Sequence, residues 1–98
     1  LRTGGLCAVP GCTRAAQQLH HIVYRSRGGA DEPWNVVGVC WFHHQRCIHA
    51  GRLTVRGRGG EYLRWTFRDS SLVPVSEWET LGDDEVRRRS LDRRRVAL

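Results

Sequence analysis

The stretch Leu19-His20-His21-Ile22-Val23-Tyr24, running into Arg25-Ser26-Arg27-Gly28-Gly29 and followed by Asn35-Val36-Val37-Gly38-Val39-Cys40, decides the fold. Branched and aromatic residues favour an extended backbone, so residues 19–24 predict a strand, and the glycine pair turns the chain in the loop beyond it. Residues 35–39 predict a second short strand. Residues 41–50 predict a short helix, closed by Gly51. The order is strand, loop, strand, helix. Further on, Arg52-Leu53-Thr54-Val55-Arg56 and Tyr62-Leu63-Arg64-Trp65-Thr66-Phe67, joined by a glycine-rich turn, predict a β-hairpin with Leu63, Trp65 and Phe67 on one side.

All four cysteines (Cys7, Cys12, Cys40, Cys47) and all five histidines (His20, His21, His43, His44, His49) fall between positions 7 and 49. Thiolate and imidazole are the ligands zinc prefers. No basic-then-apolar leader opens the chain and no apolar stretch approaches a membrane span, so a soluble, cytoplasmic protein is expected and metal outranks a pair of disulfides. The chain opens at Leu1 and holds no Met, and is expected to be part of a longer one. With 98 residues it is one small domain, of a size that often needs a staple. Its 40% apolar content, with four Trp, two Tyr and two Phe, excludes a disordered chain.

Cys7-Ala8-Val9-Pro10-Gly11-Cys12 forms a knuckle in which Pro and Gly bend the backbone so that both sulfurs reach one ion, and Cys40-Trp41-Phe42-His43 supplies the second half. Together they make a closed, structural Cys3His set. Cys47, one helical turn beyond His43, competes for the fourth position; His43 is favoured, and Cys47 reads as a small buried hydrophobe. Four histidines then remain. An adjacent pair on a strand with another pair on a nearby helix predicts a second, open metal site, suited to phosphodiester hydrolysis, which needs a metal beside phosphate and a neutral imidazole to deprotonate water.

The ordered combination of Cys7-x4-Cys12, Leu19-His20-His21-Ile22-Val23, Arg25-Ser26-x-Gly28-Gly29-x-Asp31, Asn35, Cys40-x2-His43-His44 and Ile48-His49-Ala50-Gly51 resembles the HNH endonuclease family in its zinc-containing form. The match covers about residues 7–51. It implies an α+β fold: a ββα-metal (His-Me finger) core with an N-terminal zinc knuckle, to which the reading above adds a C-terminal β-hairpin. The resemblance implies that His21 is the general base and that Asn35 braces the active-site loop. It implies that His20 and His44 hold the catalytic divalent ion, with His49 as a candidate third ligand, and that Cys7, Cys12, Cys40 and His43 hold a structural zinc. The implied activity is DNA hydrolysis: His21, oriented by a backbone carbonyl near Asn35, takes a proton from water, leaving a 5′-phosphate and a 3′-hydroxyl. Mg2+ or Mn2+ is the first choice of catalytic ion, while Ni2+ or Zn2+ also suits a histidine-rich site. Two geometric requirements follow. His49 stands five residues after His44, about 140° away on a regular α-helix, so the helix must bulge or fray. Strand alternation sends His20 and His21 to opposite faces, so a twist or bulge is expected there.

Net charge is +6, and all sixteen basic residues are Arg, whose planar fork grips phosphate oxygens in pairs. Arg25, Arg27 and Arg46 flank the expected site, and Arg52, Arg56, Arg58 and Arg64 crowd the hairpin, so these seven are expected to face nucleic acid. DNA is the expected partner, RNA is not separated from it, and no heptad or self-complementary patch predicts an oligomer. Residues 1–68 are expected to form the nuclease domain, with the motif at 7–51 and the hairpin at 52–67. Residues 69–98, where six Arg meet seven acids, are expected to be an accessory or partly disordered tail. Within that tail, Ser76-x-x-Glu79 reads as a capping box, and Asp83-Asp84-Glu85 as a helix start. Trp34, Trp41 and Trp65 are expected in the core. The alternatives are a non-catalytic, zinc-stabilised nucleic-acid-binding module and an RNA-directed nuclease or toxin domain.

Overall fold

A computed structural model describes residues 4–82 and 85–89 as a small α+β fold of two sheets and one helix. Strands β1 (Gln18–His21) and β2 (Val36–Val39) pair antiparallel, with His20 opposite Val37 and His21 opposite Val36. The strand ends at His21, earlier than the apolar run suggests, because the Val23 amide leaves the ladder and donates to the Asn35 side chain. The register through His20 and His21 is regular, so the expected bulge is absent; the two imidazoles do leave on opposite faces, His20 buried and His21 half-buried.

Beyond β1 the chain makes a 3-10 turn at Arg25–Arg27 and folds back on itself. Gly29 is required there. A Cβ at this position would lie 1.7 Å from the Val23 carbonyl oxygen, so no side chain fits. A second 3-10 turn, Pro33–Asn35, leads into β2.

Helix α1 (Phe42–Ile48) is wound wide, as a π-helix. The His49 amide donates to the His44 carbonyl at 3.1 Å and the Arg52 amide to the Cys47 carbonyl at 2.9 Å, each five residues back rather than four. This winding is the bulge that the His44-to-His49 spacing requires. Gly51, at φ +76°, turns the chain out of the helix.

The second sheet holds β3 (Leu53–Arg58), β4 (Tyr62–Arg68), β5 (Pro74–Leu81) and β6 (Glu85–Arg89) in sequential antiparallel order. One face is apolar: Leu53, Val55, Leu63 and Trp65 are buried and join Val9, Val37, Val39 and Ile48 in a single core. Each such side chain contributes about 1.5–3 kcal/mol by leaving water. The other face carries the row Arg56, Arg64, Glu79 and Arg87, one residue per strand.

The expected hairpin is therefore half of a four-stranded sheet, and the expected boundary at residue 69 falls inside it. Asp69 makes the link: its carboxylate accepts from the Ser71 and Val73 amides and closes a tight turn between β4 and β5. The helix expected from Ser76 and Glu79 is a strand. A capping box is a local signal, whereas residues 74–81 gain a complete partner in β4, with Trp78 opposite Trp65 and Thr80 accepting from the Trp65 indole. Asp83, Asp84 and residues 90–98 lie outside the described residues. Of the three tryptophans expected in the core only Trp65 is there. Trp34 is half-buried beneath the Arg58 guanidinium, and Trp41 is 48% exposed and lies under Arg46. No helix among the described residues is long and apolar enough to cross a membrane.

Candidate functional site

Two groups of cysteine and histidine side chains flank β1, β2 and α1, and among the described residues only the first brings three or more ligand atoms within reach of one ion. In the first, the ligand atoms of Cys7, Cys12, Cys40 and His43 all lie within 4.8 Å of one another. His43 Nδ1 is 3.3 Å from Cys40 Sγ and 3.7 Å from Cys7 Sγ. A tetrahedral ion bonded to sulfur at ~2.3 Å and nitrogen at ~2.05 Å sets these edges near ~3.5 Å. Geometry and donor set both fit one tetrahedral metal, and the four residues can hold it. Cys47 lies outside the group, packed half-buried against the core, where burial pushes its thiol up. Burial likewise pushes Cys7 up to about 12. Cys40 is buried too, but hydrogen bonds from the His43 amide and from the Cys7 and Cys12 thiols bring it below the ordinary thiol range. A bound cation reverses the burial penalty on such thiols, since it favours the thiolate.

The second cluster forms where β1 meets α1. Gln18 and His20, two apart on a strand, share the face turned toward the helix. The His44 Nδ1–H donates to Gln18 Oε1, which leaves Nε2 as the nitrogen presented outward. That Nε2 lies 3.2 Å from His49 Nε2. That separation is an N–H···N hydrogen bond, and it is close to the ~3.3 Å between two nitrogens on one tetrahedral ion. The His20 ring packs edge-to-face with His44 at 5.4 Å between centroids. Burial, then the neighbouring His44, His49 and His21, lowers the His20 pKa to about 4; burial, then His49, lowers that of His44. Both stay neutral at pH 7 and keep a lone pair for a metal.

His21, on the opposite side of β1, points its Nε2 at Asp31 Oδ1, 2.8 Å away, and Arg25 Nε donates to the same oxygen at 2.9 Å. Hydrogen bonds from His21 and Arg25 hold the Asp31 carboxyl below the usual range. The expected partner of His21 was a carbonyl near Asn35. The Asn35 carbonyl instead accepts from the Ile22 amide, and Asp31 takes the orienting place. Asn35 itself is fully buried, and its side chain ties together the two ends of the loop: Oδ1 accepts from the Val23 amide, while Nδ2 donates to the carbonyls of Val23 and Ala30.

No family model matches the chain, and no curated protein or solved structure matches it either. The side chains themselves must carry any functional reading. Sequence reasoning gave no role to Asp31, Gln18 or Gln45, whose amide also donates to Gln18. Strand alternation could have singled out Gln18, two residues before His20; Asp31 stands in the quoted motif, but nothing local there points to His21 as its partner. The seven arginines do not form one surface of free charges. Arg25 is bound to Asp31, Arg58 pairs with Glu61, Arg46 covers Trp41, and Arg64 lies near Glu77 and Glu79.

Proposed function

We propose that this chain is a metal-dependent endonuclease of the HNH kind, hydrolysing DNA phosphodiester bonds, with β1, β2 and α1 as its ββα-metal core. The observation that carries this reading is the 3.2 Å approach of the His44 and His49 Nε2 atoms next to the His20 ring, made possible by the π-winding of α1, with His21 held by Asp31 on the other face of β1. Zinc suits Cys7, Cys12, Cys40 and His43 as a structural ion that staples the knuckle to α1. A divalent ion on His20, His44 and His49 would supply positive charge against the scissile phosphate.

The chain's own residues do the rest. Asn35 holds the loop after β1 closed, which fixes Asp31 and Arg25 relative to His21. With Nε2–H directed at Asp31, His21 keeps Nδ1 as the free base nitrogen, and the carboxylate stabilises the imidazolium that forms. Nδ1 takes one proton from the attacking water, the new P–O bond forms, and the 3′ oxygen departs and is protonated from solvent. The products are a 5′-phosphate and a 3′-hydroxyl.

The test is plasmid cleavage by protein that retains one equivalent of structural metal, supplied in turn with Mg2+, Mn2+, Ni2+ and Zn2+. A His21→Ala variant of unchanged structural-metal content runs beside it, with an RNA of matched length as a second substrate. Metal-dependent DNA cleavage that disappears in the variant supports the reading. If the wild-type protein binds DNA but cuts with none of the four ions, the non-catalytic zinc-stabilised module replaces it.

A further inference from the structure

Arg27, Arg52 and Arg56 are the candidate arginines with neither an acidic nor an aromatic partner among the described residues. Two of them, Arg27 and Arg56, line one cleft of about 530 Å³ between the loop after β1 and strand β3. Tyr24 and Thr54 line it with them, and His20, 6% exposed, forms part of its wall. Two arginines and no carboxylate line this cleft, which leaves it positively charged and favours an anionic occupant. The Arg27 side of the cleft also carries Tyr24, 46% exposed, packed edge-to-face against His20 at 5.6 Å. His20 thus stands between the cleft and the histidine cluster, with Tyr24 on one side and His44 on the other.

We propose that this cleft seats an unpaired DNA strand, with Arg27 and Arg56 on its phosphate oxygens and a base against Tyr24. The volume lies within the roughly 300–1,000 Å³ of small-ligand sites and suits one or two nucleotides. An aromatic ring beside cations is the arrangement that binds single strands, because an unpaired base can lay its face on the ring. A duplex keeps its bases stacked on one another and offers Tyr24 only edges and backbone. The placement of the scissile phosphate beside His20 rests on the nuclease reading above; strand binding in the cleft does not.

Binding is therefore measured without added divalent ion, on protein holding its structural metal. The probe is a fluorescent single-stranded DNA of about 4–16 nucleotides, compared with a hairpin duplex of the same sequence by anisotropy. The wild-type protein is expected to prefer the single strand. Tyr24→Ala is expected to lose on the order of tenfold in single-strand affinity with little change for the duplex, and Tyr24→Phe to retain it. Arg27→Ala and Arg56→Ala are each expected to flatten the slope of log affinity against log salt by about 0.7. Arg87→Ala, at the far edge of the sheet, is expected to leave the single-strand preference unchanged. All these residues are exposed, and matching thermal unfolding shows that the variants fold. Equal wild-type affinity for both probes, no binding to either, or unaltered binding in the Tyr24, Arg27 and Arg56 variants would each overturn the proposal. If binding behaves as expected but no ion supports cutting, the nuclease reading fails and the cleft stands. If the protein cuts while these variants bind and cut as the wild type does, the cleft falls alone.

Discussion

Replacing Asn35 by Ala removes one buried side chain and three hydrogen bonds at 2.8–2.9 Å, all to the backbone of the loop that carries His21's partner. Each such bond contributes about 1 kcal/mol net, and a polar group left buried without a partner costs about 1–3 kcal/mol. Val23 lies at the surface, so its freed amide and carbonyl recruit water, and the sum falls near the lower end, at about 3 kcal/mol. In a chain of this size that lowers the melting temperature by about 12–24 °C. Asn35→Asp separates hydrogen bonding from shape. Its carboxylate keeps the acceptor for the Val23 amide but turns an oxygen toward the two carbonyls that Nδ2 served, so the charged form is repelled and the folded-state pKa rises above that of the unfolded chain. A raised pKa contributes stability that is present below the unfolded pKa and lost as pH rises through the folded one. Asn35→Asp is therefore expected to be less stable than Asn35→Ala at pH 7, with the gap narrowing toward pH 4. Thermal unfolding of the metal-loaded proteins measures the gap, and hydrogen exchange of the amides in residues 22–30 locates it. If Asn35→Ala melts within about 4 °C of the wild type and those amides keep their protection, the loop is held by something other than Asn35.

Removing the structural metal with a tight chelator is expected to unfold the chain. Binding at such sites is worth on the order of 10–16 kcal/mol, against about 5–15 kcal/mol for the stability of a whole domain, and tryptophan emission with circular dichroism reports the loss. Cys47→Ser is expected to keep one equivalent of this metal and His43→Ala to lose it, as counted by elemental analysis; the reverse pattern would exchange the two residues' roles. Histidine NMR of the protein free of added divalent ion is expected to place His20 at a pKa of about 4, against 6.5 for an unperturbed imidazole. Because this pKa is depressed, its contribution to stability is full above about 6.5 and drains away as pH falls through 4, and a measured value near 6.5 would remove the burial argument. For the proposed reaction, Asp31→Ala is expected to lower kcat on the order of tenfold with KM little changed, part of the roughly 10²–10⁴-fold that a general base supplies. A change confined to KM would instead make Asp31 a substrate contact.

The knuckle, the two short strands and the position of the helix were legible because their signals are chemical and local. Cysteine and histidine at ligand spacing, Gly29 in a loop too tight for a Cβ, and Gly51 after the helix each leave few alternatives. The winding of α1 was legible only through the five-residue interval from His44 to His49, which asked for a bulge or a frayed turn; the residue types alone do not encode whether amides bond four or five residues back. Strands β5 and β6 were missed for the opposite reason. Ser76 and Glu79 carry a helical signal within four residues, while the strand is selected by Trp65 and Trp78 meeting across the sheet, thirteen positions apart. Trp41 misled through its residue type: Ile48 takes the buried face of the helix, and the indole is covered by Arg46 instead. Asp31 escaped because its role depends on how the loop closes, which three bonds from a single buried Asn35 decide.

A π-helical turn is an α-helical turn wider by one residue, and α1 is wound this way: five positions separate His44 from His49, yet their Nε2 atoms lie 3.2 Å apart. Whether two side chains of a helix meet is thus decided by turns rather than by the count of residues between them. Patterns that fix the interval at four would pass over this arrangement, while patterns that admit five on any helix would gather many pairs that diverge by about 140°. Deleting one residue within 45–48 would restore the four-residue interval and shorten the helix by one step, and the histidine pair could survive a change that shifts every other side chain between them.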